Sequence, residues 1–441
     1  KSSIERVHPE GRRLSYEVAD KISSLNLPGV YLVKEAKRYY PYDEMLSHVL
    51  GYVGIDNQGL SGLELEYDKY LTGEAGAIKY FSDAKGNQLN LSDIYVEPQN
   101  GMNLQLTIDY NIQMSVEREL DNAVKMFNPD MALAIVIDPN NGEILAMSSR
   151  PSYNPNNYFD YSIETLSRNL PIWASFEPGS TFKIISFSAS VEEGLINPEV
   201  DHFYDSGSVR VGGARIGCWK AGGHGDQTFL QVLENSCNPG FVKIGQMLGK
   251  ERLFSYLETF GFGDKTGIDL NGESTGIIFP IDRVGELELV TTAFGQGVSV
   301  TPIQQVAAVS AAVNGGTLYK PYIVKRLIEP ETGNVKVTMT ADGLPMSDDK
   351  FYYLLDMNTY DRELPIGSEY ISKTYKEAEI ELTAALNNNS SSSRLYKKFV
   401  VAVKLDGKYV PVTTPGYITN PEVIAPHTSV FKTPASKKGL L

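Results

Sequence analysis

Residues 176–194 read FEPGSTFKIISFSASVEEG, and this stretch decides how the rest of the chain is interpreted. Pro178 and Gly179 predict a turn, after which Ser180 can cap or open a helix. Apolar residues lie almost all round that helix, so we expect it to be buried. Lys183 follows Ser180 by three residues, and side chains at this spacing share one helix face. The pattern therefore predicts an ammonium group beside a serine hydroxyl.

A serine–lysine pair in apolar surroundings is suited to nucleophilic catalysis. Burial disfavours a charged amine, so the pKa of Lys183 should fall until it can act as a base at neutral pH. A serine hydroxyl needs such a neighbour to become a nucleophile, and a helix N-terminus offers N–H groups to an oxyanion. The alternative is a capping serine followed by a lysine that reaches solvent. Two further Ser-x-x-Lys patterns, Ser82–Lys85 and Ser347–Lys350, have polar surroundings typical of surface loops.

The length, composition and net charge of the chain limit the classes of function that it can have. A length of 441 residues predicts two or three domains, and 42% hydrophobic with 21% charged residues is typical of a globular chain. The formal net charge of −14 argues against sequence-independent binding to nucleic acid, which requires a basic surface. A run of about 18 apolar residues is missing, so we expect no transmembrane helix in this chain.

Secondary-structure patterns place a domain boundary near residue 104. NLQLTID (103–109) alternates apolar and polar residues as a strand does, and residues 110–127 show helical spacing. Residues 131–149 are two β runs joined by a Pro-Asn-Asn-Gly turn, which predicts a hairpin. We therefore expect a helix packed on an antiparallel sheet from about residue 104 onward. Upstream, residues 59–76 read as a short amphipathic helix.

A second motif, Ser236-Cys237-Asn238, ends a helical stretch. Ser-x-x-Lys and Ser-x-Asn motifs occur together in serine β-lactamases and penicillin-binding proteins. Whole segments extend the match: FEPGSTFK (176–183), NSCNPGF (235–241), FGFGDKTGIDLNGES (260–274), TTAFGQGVSVTPIQ (291–304) and NGGTLYKPYIV (314–324). Together they resemble a class B, or monofunctional, penicillin-binding protein. CWKAGGHG (218–225) makes the chain most similar to the sporulation-type branch, the stage V sporulation protein D type.

The resemblance implies an α+β fold with two domains. The larger would be a transpeptidase domain like that of penicillin-binding proteins and serine β-lactamases, an antiparallel sheet flanked by helices. Residues 40–54 and 59–76 resemble the family's N-terminal pedestal, or dimerisation, domain. We therefore expect an N-terminally truncated pedestal at 1–103 and a transpeptidase domain at 104–441. Its last part, 341–441, is atypical.

The resemblance also implies an activity and roles for four residues. Ser180 would be the acyl-enzyme nucleophile and Lys183 its general base. Ser236 would relay a proton to the leaving group, and Asn238 would hold the peptide or β-lactam amide. The reaction would be peptidoglycan D,D-transpeptidation, which cross-links stem peptides without a cofactor, in sporulation or septal wall synthesis. β-Lactams would acylate the same serine.

Partners and location follow from the same resemblance. A glycosyltransferase of the wall-synthesis machinery would be the protein partner, and nucleic acid would not be one. The chain would act at the extracytoplasmic face of the bacterial cell membrane, with the anchor outside the present sequence.

The family's third motif, Lys-Thr/Ser-Gly on a strand beside the cleft, has no clear counterpart. Lys265-Thr266-Gly267 has the sequence of this motif. It precedes the FGQG segment (294–297) and the helix expected there, so we interpret it as a structural loop. Lys373-Thr374-Tyr375 and Lys432-Thr433-Pro434 lack the glycine. Of these, SEYISKTY (368–375) is more strand-like, so Lys373 and Thr374 are the candidate substrate-binding residues. The missing motif leaves a catalytically impaired scaffold or sensor as an alternative, and a β-lactamase-type hydrolase as a third.

Both cysteines of the chain, Cys218 and Cys237, lie in one 21-residue window with His224. Two thiolates and an imidazole suit tetrahedral zinc, which takes a fourth ligand. Asp205 is the candidate for that position, across an expected hairpin, with Asp201 and His202 as alternatives. A disulfide and two unlinked buried thiols are the competing interpretations.

Cys237 is also the middle residue of the Ser-x-Asn motif. If Ser236 and Asn238 face the cleft, Cys237 should point away from it. A structural zinc would then support the catalytic loop from behind.

Overall fold

The computed structural model describes residues 7, 10–79 and 94–339, together with the backbone of five short strands between 352 and 417. Its N-terminal elements are α1 (Tyr16–Ser24), α2 (Ser47–Leu50), α3 (Gly62–Glu66), α4 (Asp68–Leu71), β1 (Ala77–Lys79) and β2 (Ile94–Val96). The single helix predicted over 59–76 is wrong, because α3 and α4 are separated at Tyr67. Tyr67 leaves the helical conformation (φ −107°), and its hydroxyl donates to Asp269.

The central part of the chain alternates helices with short antiparallel strands. Its elements are β3 (Asn103–Leu106), α5 (Tyr110–Phe127), β4 (Ala132–Ile137), β5 (Ile144–Arg150), α6 (Ile163–Ser167), α7 (Leu170–Trp173), α8 (Lys183–Glu192), β6 (His202–Asp205), β7 (Ser208–Val211), β8 (Ala214–Gly217), β9 (Gly225–Thr228), α9 (Phe229–Glu234), α10 (Asn238–Thr259), α11 (Glu286–Thr292), α12 (Pro302–Val313), β10 (Val324–Ile328) and β11 (Val335–Thr338). Short 3₁₀ turns occupy Pro155–Asp160, Gly179–Phe182 and Ile281–Arg283.

The predicted helix and hairpin after residue 104 are confirmed. Helix α5 begins after Asp109, whose carboxylate accepts from the N–H groups of Asn111 and Ile112 as a cap. Strands β4 and β5 pair antiparallel, and α5 packs on β5. Strand β3 pairs with β10 in the order β11–β10–β3, so the segment at 103–106 joins a sheet closed by residues more than 200 positions later.

Helix α8 lies at the centre of the larger core, as its apolar character predicts. Phe182, Ile185 and Ala189 are fully buried there, and α8 packs against α10 and α12. A second core joins the N-terminal elements to the β4–β5 and β10 strands and includes Val49, Leu63 and Met147. The helix that begins with Lys183 is therefore fixed from several sides.

The described strands after residue 350 form a sheet of their own. They are β12 (Tyr352–Asp356), β13 (Ser372–Lys373), β14 (Lys398–Leu405), β15 (Lys408–Pro411) and β16 (Gly416–Tyr417), in the order β13–β12–β14–β15 with β16 also on β14. The backbone of Lys373 pairs with Tyr352. Its side chain, and Thr374 altogether, lie outside the described residues.

Within the described residues, no helix combines the length and apolar character needed to cross a bilayer.

Candidate active site

Ser180 lies in a tight turn ahead of the buried helix. The helix does not begin at Ser180 as one reading of the sequence predicts, because Gly179–Phe182 is a 3₁₀ turn and α8 starts at Lys183. Gly179 adopts φ +55°, and the Thr181 hydroxyl donates to Pro178 O at 2.7 Å, which closes the turn. The Ser180 side chain is consequently exposed at the surface of the site.

Backbone contacts with residues 294–300 hold this turn. Gly179 N donates to Gly295 O at 2.9 Å, and Phe176 and Val300 exchange hydrogen bonds as an isolated bridge. Gly295 has φ +81°, and a Cβ atom there would lie 2.1 Å from Gly179 O. Only glycine allows these two segments of the backbone to approach so closely.

Lys183 is buried, and its amine joins the two sequence motifs. Only 1% of the residue is exposed. Nζ donates to Ser236 O at 2.8 Å, to Ser236 Oγ at 2.9 Å and to Asn238 Oδ1 at 2.6 Å. The amine thus binds the Ser-x-Asn motif directly, whereas the sequence placed it beside the Ser180 hydroxyl. Burial lowers the pKa of Lys183 to about 8, against a weaker opposing effect of the thiols of Cys237 and Cys218.

Ser236 lies in a strained loop between two helices. Helix α9 ends at Glu234, and Ser236 has φ +49°, a left-handed conformation uncommon for residues other than glycine. Its N–H donates to Leu233 O at 2.9 Å. Cys237 caps the next helix, α10, whose first residue is Asn238. This turn directs Ser236 and Asn238 to Lys183 and the intervening Cys237 to the opposite side.

The cysteine side of the loop carries a cluster of four metal-ligating groups, which we call the tetrad: Asp205, Cys218, His224 and Cys237. Their ligand atoms all lie within 4.8 Å of one another. Asp205 Oδ2 is 3.0 Å from His224 Nδ1 and accepts from the Cys237 thiol at 3.4 Å. Cys218 Sγ is 3.3 Å from His224 Nδ1. Both cysteines are free in this structure.

Two strand pairs, β6–β9 and β7–β8, bring three members of the tetrad together. Asp205 ends β6, which pairs with β9, and Gly225 opposite it follows His224 directly. The predicted hairpin is formed by β7 and β8, and Cys218 follows β8. The alternative ligands lie elsewhere, since Asp201 accepts from Asn197 N and His202 pairs with Asp226 at the surface.

Burial and hydrogen bonding set the protonation of the tetrad. Burial raises the pKa of the Cys237 thiol to about 12 and also raises that of Cys218. Burial disfavours the charged form of Asp205 as well. Hydrogen bonds from Cys218, Gly207 N–H and His224 outweigh that effect and hold the pKa of the carboxyl well below its usual range. Without a bound cation, these shifts favour a carboxylate beside two protonated thiols.

Lys265-Thr266-Gly267 is bound to a carboxylate of its own loop. Thr266 donates through N and Oγ1 to Glu273 Oε1 at 2.7 and 2.6 Å, and Gly267 N donates to Glu273 Oε2 at 3.1 Å. These contacts agree with its interpretation as a structural loop.

Three positioning contacts escaped the sequence analysis. Gly295 meets the Ser180 turn, Gln305 Nε2 donates to Thr181 O at 3.2 Å, and Trp219 Nε1 donates to Asn235 O at 2.7 Å. Gly295 and Trp219 lie in quoted blocks, FGQG and CWKAGGHG, so the signal was present. Their partners are backbone carbonyls, which leave no mark in a sequence.

Comparison with protein families matches two parts of the chain. Residues 132–374 match the penicillin binding protein transpeptidase domain, and residues 8–106 match the penicillin-binding protein dimerisation domain. The first match covers more than half of the chain.

Curated relatives and solved structures agree with these matches. Stage V sporulation protein D of Bacillus subtilis (strain 168) is 57% identical over 75% of this chain and 52% of the relative. Peptidoglycan D,D-transpeptidase FtsI of Escherichia coli (strain K12) is 34% identical over 73% of this chain and 54% of its own length. The chain thus spans about half the length of these relatives.

Among solved structures, penicillin binding protein 3 from Mycobacterium tuberculosis, complexed with ampicillin, superposes with a TM-score of 0.60 at 29% identity. The match covers 71% of this chain and 63% of that one. The geometry and all three comparisons agree with the resemblance found in the sequence. The chain therefore belongs to the class B penicillin-binding proteins, with the family's transpeptidase fold and dimerisation domain.

Proposed function

We propose that this chain is a peptidoglycan D,D-transpeptidase in which Ser180 is the nucleophile and Lys183 the base. The observation that carries the proposal is the set of three hydrogen bonds, 2.6–2.9 Å long, from Lys183 Nζ to Ser236 and Asn238. They bring residues more than 50 positions apart around one buried amine with a lowered pKa. A buried amine with a lowered pKa can serve as the base that a serine nucleophile needs.

Each group then has a role in acyl transfer. Neutral Lys183 takes the proton of Ser180 as Oγ attacks the carbonyl carbon of the penultimate D-Ala. The bond to the terminal D-Ala nitrogen breaks, and Ser236 passes a proton to the leaving amine while Asn238 holds the peptide amide. The amine of a second stem peptide next attacks the ester and releases Ser180. A β-lactam instead leaves a stable ester on Ser180. The mycobacterial neighbour was solved in complex with one β-lactam, ampicillin.

The domain assignment and the third motif belong to the same proposal. We assign residues 1–103 to the pedestal and 104–441 to the transpeptidase domain. Lys373 and Thr374 are our candidates for binding the substrate carboxylate. Their test is Lys373→Ala, for which we expect weaker β-lactam binding with Ser180 still acylated at saturation.

Covalent labelling tests the activity. Incubation with a labelled penicillin should place one label on Ser180, found by peptide mass spectrometry, and Ser180→Ala should abolish it. A folded wild-type protein that takes no label would leave the non-catalytic scaffold as the function. Rapid release of hydrolysed penicillin would instead identify a hydrolase.

We further propose that the tetrad holds a structural zinc ion. Zinc bonds of about 2.0–2.3 Å in a tetrahedron place neighbouring ligand atoms about 3.3–3.8 Å apart. The contacts of 3.0, 3.3 and 3.4 Å among Asp205, Cys218, His224 and Cys237 are close to those edges. Four protein ligands would leave no open position, so the ion would supply support and no chemistry to the reaction.

Metal analysis of the purified protein tests this site. We expect about one zinc per chain. Removal of the zinc by a chelator should lower the acylation rate. Zinc below about 0.1 per chain, with acylation unaffected by chelators, would overturn it. A Cys218–Cys237 disulfide found by non-reducing mass analysis would replace the zinc site with a covalent link.

A partner and a location complete the proposal. Large apolar side chains are exposed along the N-terminal part, among them Tyr16 at 92%, Tyr31 at 85% and Val33 at 87%. Exposed apolar patches mark interaction sites, and Tyr31 and Val33 lie two positions apart in the chain. We propose that a wall-synthesis glycosyltransferase packs here, at the extracytoplasmic face of the cell membrane. Tyr31→Ser with Val33→Ser should weaken co-purification with that enzyme and leave penicillin labelling intact; unchanged co-purification would contradict the site.

A further inference from the structure

Trp219 joins the tetrad to the Ser-x-Asn loop. It follows Cys218 directly, its Nε1 donates to Asn235 O at 2.7 Å, and its ring meets His224 edge-on with 5.4 Å between ring centroids. The residue is nevertheless 70% exposed. A ring so exposed contributes little to a hydrophobic core, so the hydrogen bond is its main link to the fold.

The acceptor of that bond belongs to the peptide group that sets the conformation of Ser236. The carbonyl of Asn235 and the N–H of Ser236 are two edges of one rigid plane. Trp219 holds the carbonyl edge, and Leu233 O holds the N–H edge at 2.9 Å. The orientation of this plane determines φ of Ser236, which has the unfavourable value of +49°.

We propose that Trp219 is a positioning residue that keeps Ser236 in the conformation that binds Lys183. Both Ser236 O and Ser236 Oγ accept from the amine, so a rotated peptide plane would remove two of its three partners. The expected effect of Trp219 on the acylation rate rests on the proposed function. Its expected effect on the conformation of the Ser236 loop rests only on the geometry.

Acylation kinetics test the first part. Trp219→Phe keeps an aromatic ring but removes the N–H donor. We expect the limiting acylation rate by a labelled penicillin to fall about 3- to 10-fold, with an unchanged half-saturating concentration. Trp173→Phe is the matched control, since Trp173 is the other tryptophan and its ring contacts Arg168. Equal rates for Trp219→Phe and wild type, or equal losses in both variants, would overturn the proposal.

Indole NMR tests the second part without any activity. Protein labelled with ¹⁵N-tryptophan gives two indole N–H signals, and Trp173→Phe identifies that of Trp219. We expect this signal to exchange slowly with solvent despite the exposed ring. Ser236→Val, whose branched side chain disfavours a positive φ, should shift it and speed its exchange while the Trp173 signal stays fixed.

The two arms also separate the possible failures. A Trp219 signal that exchanges as fast as free indole, or is unmoved by Ser236→Val, overturns the positioning role. A wild-type protein that takes no penicillin refutes the proposed function instead, and the NMR result still decides whether Trp219 holds the loop.

Discussion

The turn that carries Ser180 and the loop that carries Ser236 meet at Lys183, but different contacts hold them. The Ser180 turn is fixed by backbone against backbone, through Gly179 and Gly295. The Ser236 loop makes its backbone bonds to α9 and α10 on either side of it, and side chains hold it from outside: the indole of Trp219 and the tetrad behind Cys237. A backbone contact has one geometry, whereas side-chain supports can be weakened one at a time. We therefore expect changes at the first turn to be severe and changes at the second to be graded.

Gly295→Ala should have the largest effect of the variants below. Its Cβ would lie 2.1 Å from Gly179 O and 2.7 Å from the Phe182 Cβ, so the Ser180 turn has to move. Misplacement of a nucleophile by about 1 Å costs on the order of 100-fold in rate, and we expect at least that loss of acylation. Stopped-flow labelling with a fluorescent penicillin measures it.

Gly297→Ala is the control for Gly295→Ala. It has a similar φ, +79°, but its Cβ would meet nothing closer than 3.6 Å. Conformational strain alone should therefore leave acylation much closer to wild type. Equal losses in the two variants would show that the close approach to Gly179 is not what holds the turn.

The sequence predicted features within single elements of these two regions but not the contacts between elements. Spacing and apolar character were sufficient to predict the buried helix and Lys183 within it. The hydrogen bonds of Lys183 to Ser236 and Asn238 were not predictable, because they depend on how α8 and α10 pack. The start of the helix was misplaced because a 3₁₀ turn and an α-helical turn favour the same residues.

In the tetrad too, the sequence predicted the residue types but not the strand pairing that brings them together. Composition and glycine content pointed to Cys218, His224 and Cys237, since few residue types bind metals. Asp205 was predicted as the fourth ligand from the expected hairpin, which β7 and β8 form. The pairing of β6 with β9, which places Asp205 beside His224, is not fixed by the sequence alone.

His224→Ala tests the side-chain support at its strongest point. Removal of one tetrad ligand should abolish zinc binding and slow acylation about 10- to 100-fold, the range seen when groups that orient a site are lost. Metal content and penicillin-labelling rates measure the two effects. His202→Ala, the rejected alternative at the surface, should keep both zinc and rate. A variant of His224 that loses zinc but is acylated at the normal rate would show that the tetrad does not support the Ser236 loop.

The pH dependence of acylation tests the amine that both regions share. Lys183 accepts a proton only when neutral, and its pKa is lowered to about 8. The rate should therefore rise about tenfold from pH 6 to pH 7 and level off above about pH 8. Zinc content must be followed at each pH, because protons compete with metal for thiols. A rate independent of pH between 6 and 8 at constant zinc would exclude Lys183 as the base.

The smallest effect is expected at Gln305, a side chain that touches the backbone-held turn. Its Nε2 donates to Thr181 O at 3.2 Å, while its buried Oε1 has no hydrogen-bond partner among the described residues. Gln305→Met removes the bond and the unpaired oxygen together, and these changes offset each other at about 1 kcal/mol each. Stability should stay nearly constant, and acylation should slow about 2- to 5-fold because Thr181 adjoins Ser180.

Gln304→Met is the neighbouring control for Gln305. Gln304 donates to Asp264 O at 2.7 Å and Thr275 O at 2.9 Å, and its Oε1 accepts from Thr301 N. Its replacement leaves two carbonyls and an N–H group unpaired, so thermal stability should fall more than in Gln305→Met. If Gln305→Met instead slows acylation as much as Gly295→Ala, the Ser180 turn depends on side chains after all. The two regions would then differ only in degree.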